Sequence, residues 1–307
     1  MSTRITQSMV SSRVLSDLQD VSYRLSQTQE KLSSGKELTK PSDDPFATGK
    51  ALGLSNDLEG VQQYERTVND GTAWANLTES AFNSITSAAQ RARTLLVQAG
   101  NDTNSTTNRS DIADEIDQLI DEIKGDANVQ YGGQYIFSGS ATTTAPYTTG
   151  GSPPDDTFHG NSDGVYRQIG PNVSVQINTV GSSVLGSGVP GDGGMISVLR
   201  TISQHLRSGT TADADALRTT DLSALDKSMD AVTSARSVNG ATTNRLSSAA
   251  DRLSQIEQNT TSLLSDTQDA DMAKTMIDFS MQQTVYQSAL RAGANIVQAS
   301  LLDFLST

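Results

Sequence analysis

Apolar residues recur at alternating steps of four and three near both ends of this 307-residue chain. Close to the start the seam reads Val14, Leu18, Val21, Leu25, Thr28 and Leu32. That heptad spacing is the signature of helices that wrap around a partner. It stops at Ser33-Ser34-Gly35, where glycine can supply a C-cap. Pro41-Ser42-Asp43-Asp44-Pro45 then announces a second helix, with an Asp at the N-cap and Pro45 at the first helical position. Helical composition continues to about Gly100, with a break expected at Asn69-Asp70-Gly71. Asn101 to Ser110 reads as a polar loop. Asp111 to Lys124 follows as a helix with Ile112, Ile116, Leu119, Ile120 and Ile123 on one face.

The middle of the chain changes character. From about Tyr131 to Gly194 it gathers glycine and all but two of the prolines, and helical spacing disappears. Gln134 to Ser138 and Val165 to Ile169 read as strands, the second preceded by the turn-forming Asp163-Gly164. Val173, Val175, Ile177 and Thr179 alternate with Ser174, Gln176 and Asn178, the period of a half-buried strand.

Helix then resumes with Ile196, Leu199, Ile202 and Leu206, and again with Leu222, Leu225, Met229 and Val232. The pattern stumbles near Asn239-Gly240 and restarts in a new phase through Leu246, Ala249, Leu253, Ile256, Thr260, Leu263, Thr267 and Ala270. A last helix carries Ile277, Met281, Val285, Ala289, Ala292, Ile296 and Ala299.

Heptads at both ends and strands between them imply a mainly α fold with a β-rich insert. The expected arrangement is a long antiparallel helical hairpin or bundle with coiled-coil terminal arms and a small β domain at the tip. Three domains are expected: a terminal coiled-coil assembly domain of residues 1–43 plus 268–307, a helical rod of 44–130 plus 195–267, and the insert of 131–194. The terminal seams hold many Ala and Thr, too small to make a helix pair stable alone. Their order is expected to come from neighbouring copies. The expected assembly residues are Leu18, Val21, Leu25 and Leu32 at the start, and Leu253, Ile256 and Leu263 on the long helix. Ile277, Met281, Val285 and Ile296 continue the surface on the last helix, followed by Leu301, Leu302, Phe304 and Leu305.

Composition narrows the function. Only 35% of the residues are hydrophobic and 5% aromatic, lean for one compact core of this length. The formal net charge of -13 repels phosphate backbones and anionic lipid, so nucleic acid and membrane surfaces are poor partners. The absence of cysteine excludes disulfides, thiolate nucleophiles and Cys-based zinc sites. The start, Met1-Ser2-Thr3-Arg4-Ile5-Thr6-Gln7, lacks the basic and apolar regions of a cleaved signal peptide.

Chemical motifs are present but lack their contexts. Gly186-Ser187-Gly188-Val189-Pro190-Gly191 has the dinucleotide-binding spacing, yet no βαβ unit surrounds it, and it reads better as a linker. His159, Asn161, Asp163 and Gly164 mimic part of a calcium loop, but His159 and Gly170 occupy its first and last ligand positions. His159 and His205 are the two histidines, in separate modules. The pairs Asp43-Asp44, Asp155-Asp156 and Asp269/Asp271 read as caps or solvated carboxylates. Trp74, Tyr64 and Phe82 sit at helical spacings and read as packing anchors. Asn-x-Ser/Thr triplets are numerous, as the Ser/Thr content makes inevitable, and are not read as glycosylation sites. No catalytic, cofactor-binding or metal residue is assigned.

Several segments carry a family likeness. Lys31-Leu32-Ser33-Ser34-Gly35-Lys36 resembles the N-terminal signature of the flagellin superfamily. Pro41-Ser42-Asp43-Asp44-Pro45 and Tyr131-Gly132-Gly133-Gln134-Tyr135-Ile136-Phe137-Ser138-Gly139 resemble the hook–filament junction branch of it. Asp271-Met272-Ala273 and Ala299-Ser300-Leu301-Leu302-Asp303-Phe304-Leu305 are similar to that branch too. The resemblance implies a non-enzymatic structural role in the bacterial flagellum, outside the cell. It implies export by the flagellar type III apparatus without a cleaved signal, and a cytoplasmic chaperone on the C-terminal helix. It further implies self-association into a tubular ring between a neighbouring hook-associated protein and flagellin. Filament flagellin itself is one rival reading, and a secreted binding module using residues 131–194 is another.

Overall fold

The computed structural model describes residues 7–100, 105–151 and 154–305, with side chains described as far as Ala294 at the C-terminal end. Eight helices and four short strands run in the order α1 (Gln7–Ser34), α2 (Pro45–Ala99), α3 (Thr106–Ala127), β1 (Gln130–Tyr131), β2 (Gln134–Tyr135), β3 (Tyr166–Gly170) and β4 (Val173–Gln176) among the described residues. There follow α4 (Gly181–Val184), α5 (Met195–Ser208), α6 (Thr211–Arg218), α7 (Thr220–Gln268) and α8 (Met272–Leu305). The fold is mainly α with a small β insert. Internal contacts divide the chain into two compact units, Met1–Gly60 with Ile256–Thr307 and Val61–Gln255.

The larger unit, residues 61–255, holds one continuous apolar core. Ile112, Ile116, Leu119, Ile120 and Ile123 turn inward from α3, and Ile196, Leu199, Ile202 and Leu206 from α5. Trp74 and Phe82 of α2 are fully buried, Trp74 edge-on to Tyr131 and Phe82 edge-on to Phe137. These rings are packing anchors, as their spacing suggests. The insert is two antiparallel hairpins, β1–β2 and β3–β4, the second bulged between Gln168 and Gly170. Val175 and Ile177 of the alternating segment are buried while Ser174 and Gln176 are exposed. Residues 131–194 are not set apart from the helices by a gap in packing. Ile136, Phe137, Tyr147, Ile169, Val175, Ile177, Val184 and Leu185 belong to the same core cluster as Trp74 and Ile120.

Four local expectations are corrected. Helix α2 runs unbroken through Asn69-Asp70-Gly71. Gly71 serves close packing instead, because a Cβ there would lie 3.3 Å from Ile177 Cγ2 and 3.4 Å from Leu246 Cδ1. Helix α7 likewise continues through Asn239-Gly240, where buried Asn239 donates Nδ2–H to the Ala75 carbonyl at 2.9 Å. Only Gln134 and Tyr135 of the segment 134–138 form a ladder, because Ile136 and Phe137 both turn into the core rather than alternating. Helix α3 starts at Thr106, earlier than expected, because the Ser105 side chain caps it by accepting from the Asn108 amide.

In the smaller unit α1 and α8 pack antiparallel. The Thr28 hydroxyl meets Gln282 Oε1 at 2.9 Å, and the site of a Cβ on Gly293 lies 3.3 Å from Val14 Cγ1.

Candidate assembly surface

The smaller unit is tied together by backbone and caps more than by a core. Gly35, at φ +70°, closes α1 with its amide on the Lys31 carbonyl at 2.9 Å. The chain then bonds across to the end of α7, Glu37 N–H to the Gln268 carbonyl at 2.8 Å and Ala270 N–H to the Gly35 carbonyl at 2.9 Å. The Asp44 carboxylate accepts from the amides of Phe46 and Ala47 at the start of α2, and Asp271 does the same for Ala273 and Lys274 of α8. Both acid pairs therefore include a helix cap, as read from the sequence.

The expected assembly residues divide by environment. Leu18, Val21, Leu25 and Leu32 are half-buried along α1. Ile277, Met281 and Val285 are 69%, 57% and 47% exposed. The face of α8 turned toward α1 is a different one, marked by buried Thr275 and Gly293 and by Gln282. Small and polar residues occupy the line of closest approach, which leaves the bulky apolar residues on the free face. Met272, Met276 and Leu290 are exposed too, on the other flank of the line that faces α1. On α7, Leu253 is buried in the core of the larger unit at 3% exposure, so it is not available to a neighbour. Ile256 and Leu263 are 40% and 49% exposed, while Thr260 between them is buried. The side chains of Ile296, Leu301, Leu302, Phe304 and Leu305 lie outside the described residues.

The motifs that suggested chemistry have structural work. In the Gly186–Gly191 loop the Asp192 carboxylate accepts from the Ser187 amide at 2.6 Å, the Gly194 amide at 2.8 Å and the hydroxyls of Ser187 and Ser197. Burial raises this carboxyl, but those hydrogen bonds outweigh it and hold Asp192 below the usual Asp range. Two loop amides are thus satisfied by the chain's own anion. Asn161 takes the amides of Ser140 and Asp163, as a polar turn requires. His205 Nδ1 lies 2.7 Å from buried Asp221, joining α5 to α7. Among the described residues no group of three or more His, Asp or Glu could hold a metal ion. Nor is any helix there long and apolar enough to cross a membrane.

One ionic cluster escaped the sequence reading. Lys124 is fully buried, with Nζ 2.5 Å from Asp156 and 2.8 Å from the Asp155 carbonyl. Arg200 holds Asp156 through Nε at 2.8 Å and Asp117 through Nη1 at 2.6 Å. Burial pushes the Asp156 carboxyl up, but hydrogen bonds from Arg200 and Lys124 prevail and hold it below its usual range. Asp156 is therefore not a solvated carboxylate and is corrected to part of an ionic pin, while the Asp155 carboxylate stays exposed. The signal was available: Lys124 sits one residue after Ile123 and four after Ile120, on the apolar face of α3.

Comparison with known proteins agrees with this architecture. The bacterial flagellin N-terminal helical region matches residues 5–142, and the bacterial flagellin C-terminal helical region matches residues 222–305. The chain belongs to the flagellin superfamily. The flagellar hook-associated protein 3 of Escherichia coli strain K12 is 29% identical over 292 residues, 89% of this chain and 90% of its own length. A flagellin of Bacillus subtilis is 27% identical over 98% of this chain and 99% of that one. The structure of a flagellar hook-associated protein from Vibrio parahaemolyticus superposes with a TM-score of 0.66 at 22% identity, covering 74% of this chain and all of that one, which establishes a shared fold. Membership makes the chain a structural component of the bacterial flagellum. Its likeness to hook-associated protein 3 over nearly the whole length of both places it with the hook–filament junction proteins.

Proposed function

We propose that many copies of this chain assemble side by side into a short tubular layer of the flagellum, held together by the smaller unit. One observation carries this reading. Among the described residues, thirteen of the seventeen large apolar side chains left exposed belong to residues 1–60 and 256–307. Surface of that kind, gathered on helices with free faces, is what neighbouring copies cover. Its expected centre is Ile277, Met281 and Val285 of α8, and Ile256 and Leu263 of α7 are exposed in the same unit. Ile296, Leu301, Leu302, Phe304 and Leu305 extend the same chain of apolar residues in sequence.

In this reading the layer lies between a neighbouring hook-associated protein and flagellin, and flagellin polymerises onto it. The chain acts outside the cell as a scaffold, with no catalytic step. It leaves through the flagellar type III apparatus without a cleaved signal, and a cytoplasmic chaperone shields the α8 stripe beforehand. The near-full-length likeness to a Bacillus subtilis flagellin favours a second reading, in which the chain builds the filament itself. Immunogold labelling of intact flagella separates the two. A narrow band at the hook–filament boundary is expected; gold along the filament means flagellin, and no label on flagella removes both.

A further inference from the structure

We infer that Phe46 is an anchor that inserts into a partly apolar notch on the next copy of this chain. The inference rests on the proposed multi-copy assembly and names a contact within it. Phe46, the second residue of α2, is 85% exposed, more than any other large apolar side chain among the described residues. The capping carboxylate of Asp44 fixes the first turn of α2, and with it the backbone position from which the ring projects. In the same unit Leu38, Pro41, Ala51 and Leu52 form the apolar part of an open notch of about 190 Å³, whose remaining wall is Thr39, Lys40, Thr48, Ser55 and Gln268. An apolar cavity of roughly 150 Å³ is enough to take up benzene. The notch therefore has room for one phenyl ring.

Phe46 cannot fill the notch of its own chain. At about 100° per residue, the lining residues Thr48, Ala51, Leu52 and Ser55 sit about 120° to 180° around α2 from Phe46. Anchor and receptor thus lie on opposite sides of one helix. A contact of that kind is heterologous, joining each copy to the next and building a ring or tube rather than a closed pair. The side of α2 that carries Phe46 also carries Gly49, Gly53 and Gly60, where an added Cβ would meet nothing within 4 Å. Nothing in the chain's own packing requires these helix-weakening glycines, whereas a neighbour pressed close against that side would.

The test replaces Phe46 with p-azidophenylalanine, which keeps the ring, and irradiates flagella isolated from the complemented strain. A ladder of cross-linked multimers is expected, with the adduct on residues 38–55 of a second copy. Adducts elsewhere, or monomers only from flagella that contain the chain, overturn the anchor and leave the assembly reading standing. Absence of the unsubstituted chain from wild-type flagella overturns both. As a second measurement, Phe46→Ala should leave the helicity of the monomer unchanged. It should lower incorporation into flagella by about 10-fold or more, with Phe46→Leu recovering part of the loss. Full incorporation of Phe46→Ala would likewise refute the anchor.

Discussion

The two units use long helices to opposite ends. Residues 61–255 bury thirty-nine of the forty hydrophobic residues that count as buried among those described, and the smaller unit buries only Ala51. At about 1.5–3 kcal/mol for each large side chain fully removed from water, nearly all of the hydrophobic stabilisation among the described residues lies in the larger unit. The smaller unit closes with backbone bonds from Gly35, Glu37 and Ala270, a Thr28–Gln282 hydrogen bond and half-buried leucines. Hydrogen bonds of that kind are worth only about 1 kcal/mol each in water. Helix amphipathicity therefore marks a folded core in one unit and an unpartnered surface in the other. What separates them is whether the opposing face is supplied by the same chain.

The sharpest way to break this comparison is to remove part of the larger core. Replacing residues 140–193 by a short Gly/Ser linker deletes Tyr147, Ile169, Val175, Ile177, Val184 and Leu185, each no more than 5% exposed. Six such side chains at about 1.5–3 kcal/mol apiece approach or exceed the 5–15 kcal/mol that typically holds a domain folded. The truncated chain should lose its cooperative thermal transition in circular dichroism. A sharp transition at the original temperature would mean that the insert is an autonomous module and that the helices carry the core by themselves.

That outcome bears on what the sequence could reveal. Spacing located the helices because burial repeats every three or four residues, and the caps at Gly35, Asp44 and Asp271 were legible because their side-chain and backbone chemistry is local. Continuity through Gly71 and Asn239 was not legible, because each residue answers a partner more than 90 positions away, Ile177 for one and Ala75 for the other. The insert looked separate because glycine and proline mark turns, but turn chemistry says nothing about where Ile136 and Val175 are buried. On α8 the large apolar residues were readily seen, yet the face used within the chain is set by Thr275, Gln282 and Gly293, residues too small or too polar to stand out in a hydrophobic seam.

A smaller effect sharpens the comparison through the ionic pin of the larger unit. Removing one partner of a buried pair costs about 3–5 kcal/mol, because the other charge is left unsolvated. Asp156→Asn should lower the unfolding midpoint in urea accordingly. The pH dependence follows from the depressed carboxyl. Its stabilisation is complete above the ordinary Asp value near 3.8 and is lost as pH falls through the lower value of the folded state. Wild type should thus lose stability more steeply on acidification than Asp156→Asn over that window. Parallel pH profiles would show that the pin contributes nothing specific.

The smallest effect on the free chain should come from the most disruptive change to the assembled one. Ile277 is 69% exposed on the free face of α8, so Ile277→Asp removes no buried contact and adds a carboxylate that water can solvate. The urea midpoint of the monomer should move by less than about 0.5 kcal/mol, the usual range for surface changes. In the flagellum the same carboxylate would sit unpaired in an apolar seam, a penalty of several kcal/mol repeated at every copy. The variant should be secreted yet fail to build its layer, leaving bare hooks and unpolymerised flagellin in the medium. Because an export chaperone could grip the same stripe, secretion of the variant has to be measured beside motility. Leu119→Asp, aimed into the core of the larger unit, should do the reverse and unfold the monomer before assembly is ever tested. Normal filaments on Ile277→Asp cells would show that this face of α8 stays in water, and the contrast between the two units would then lose its functional meaning.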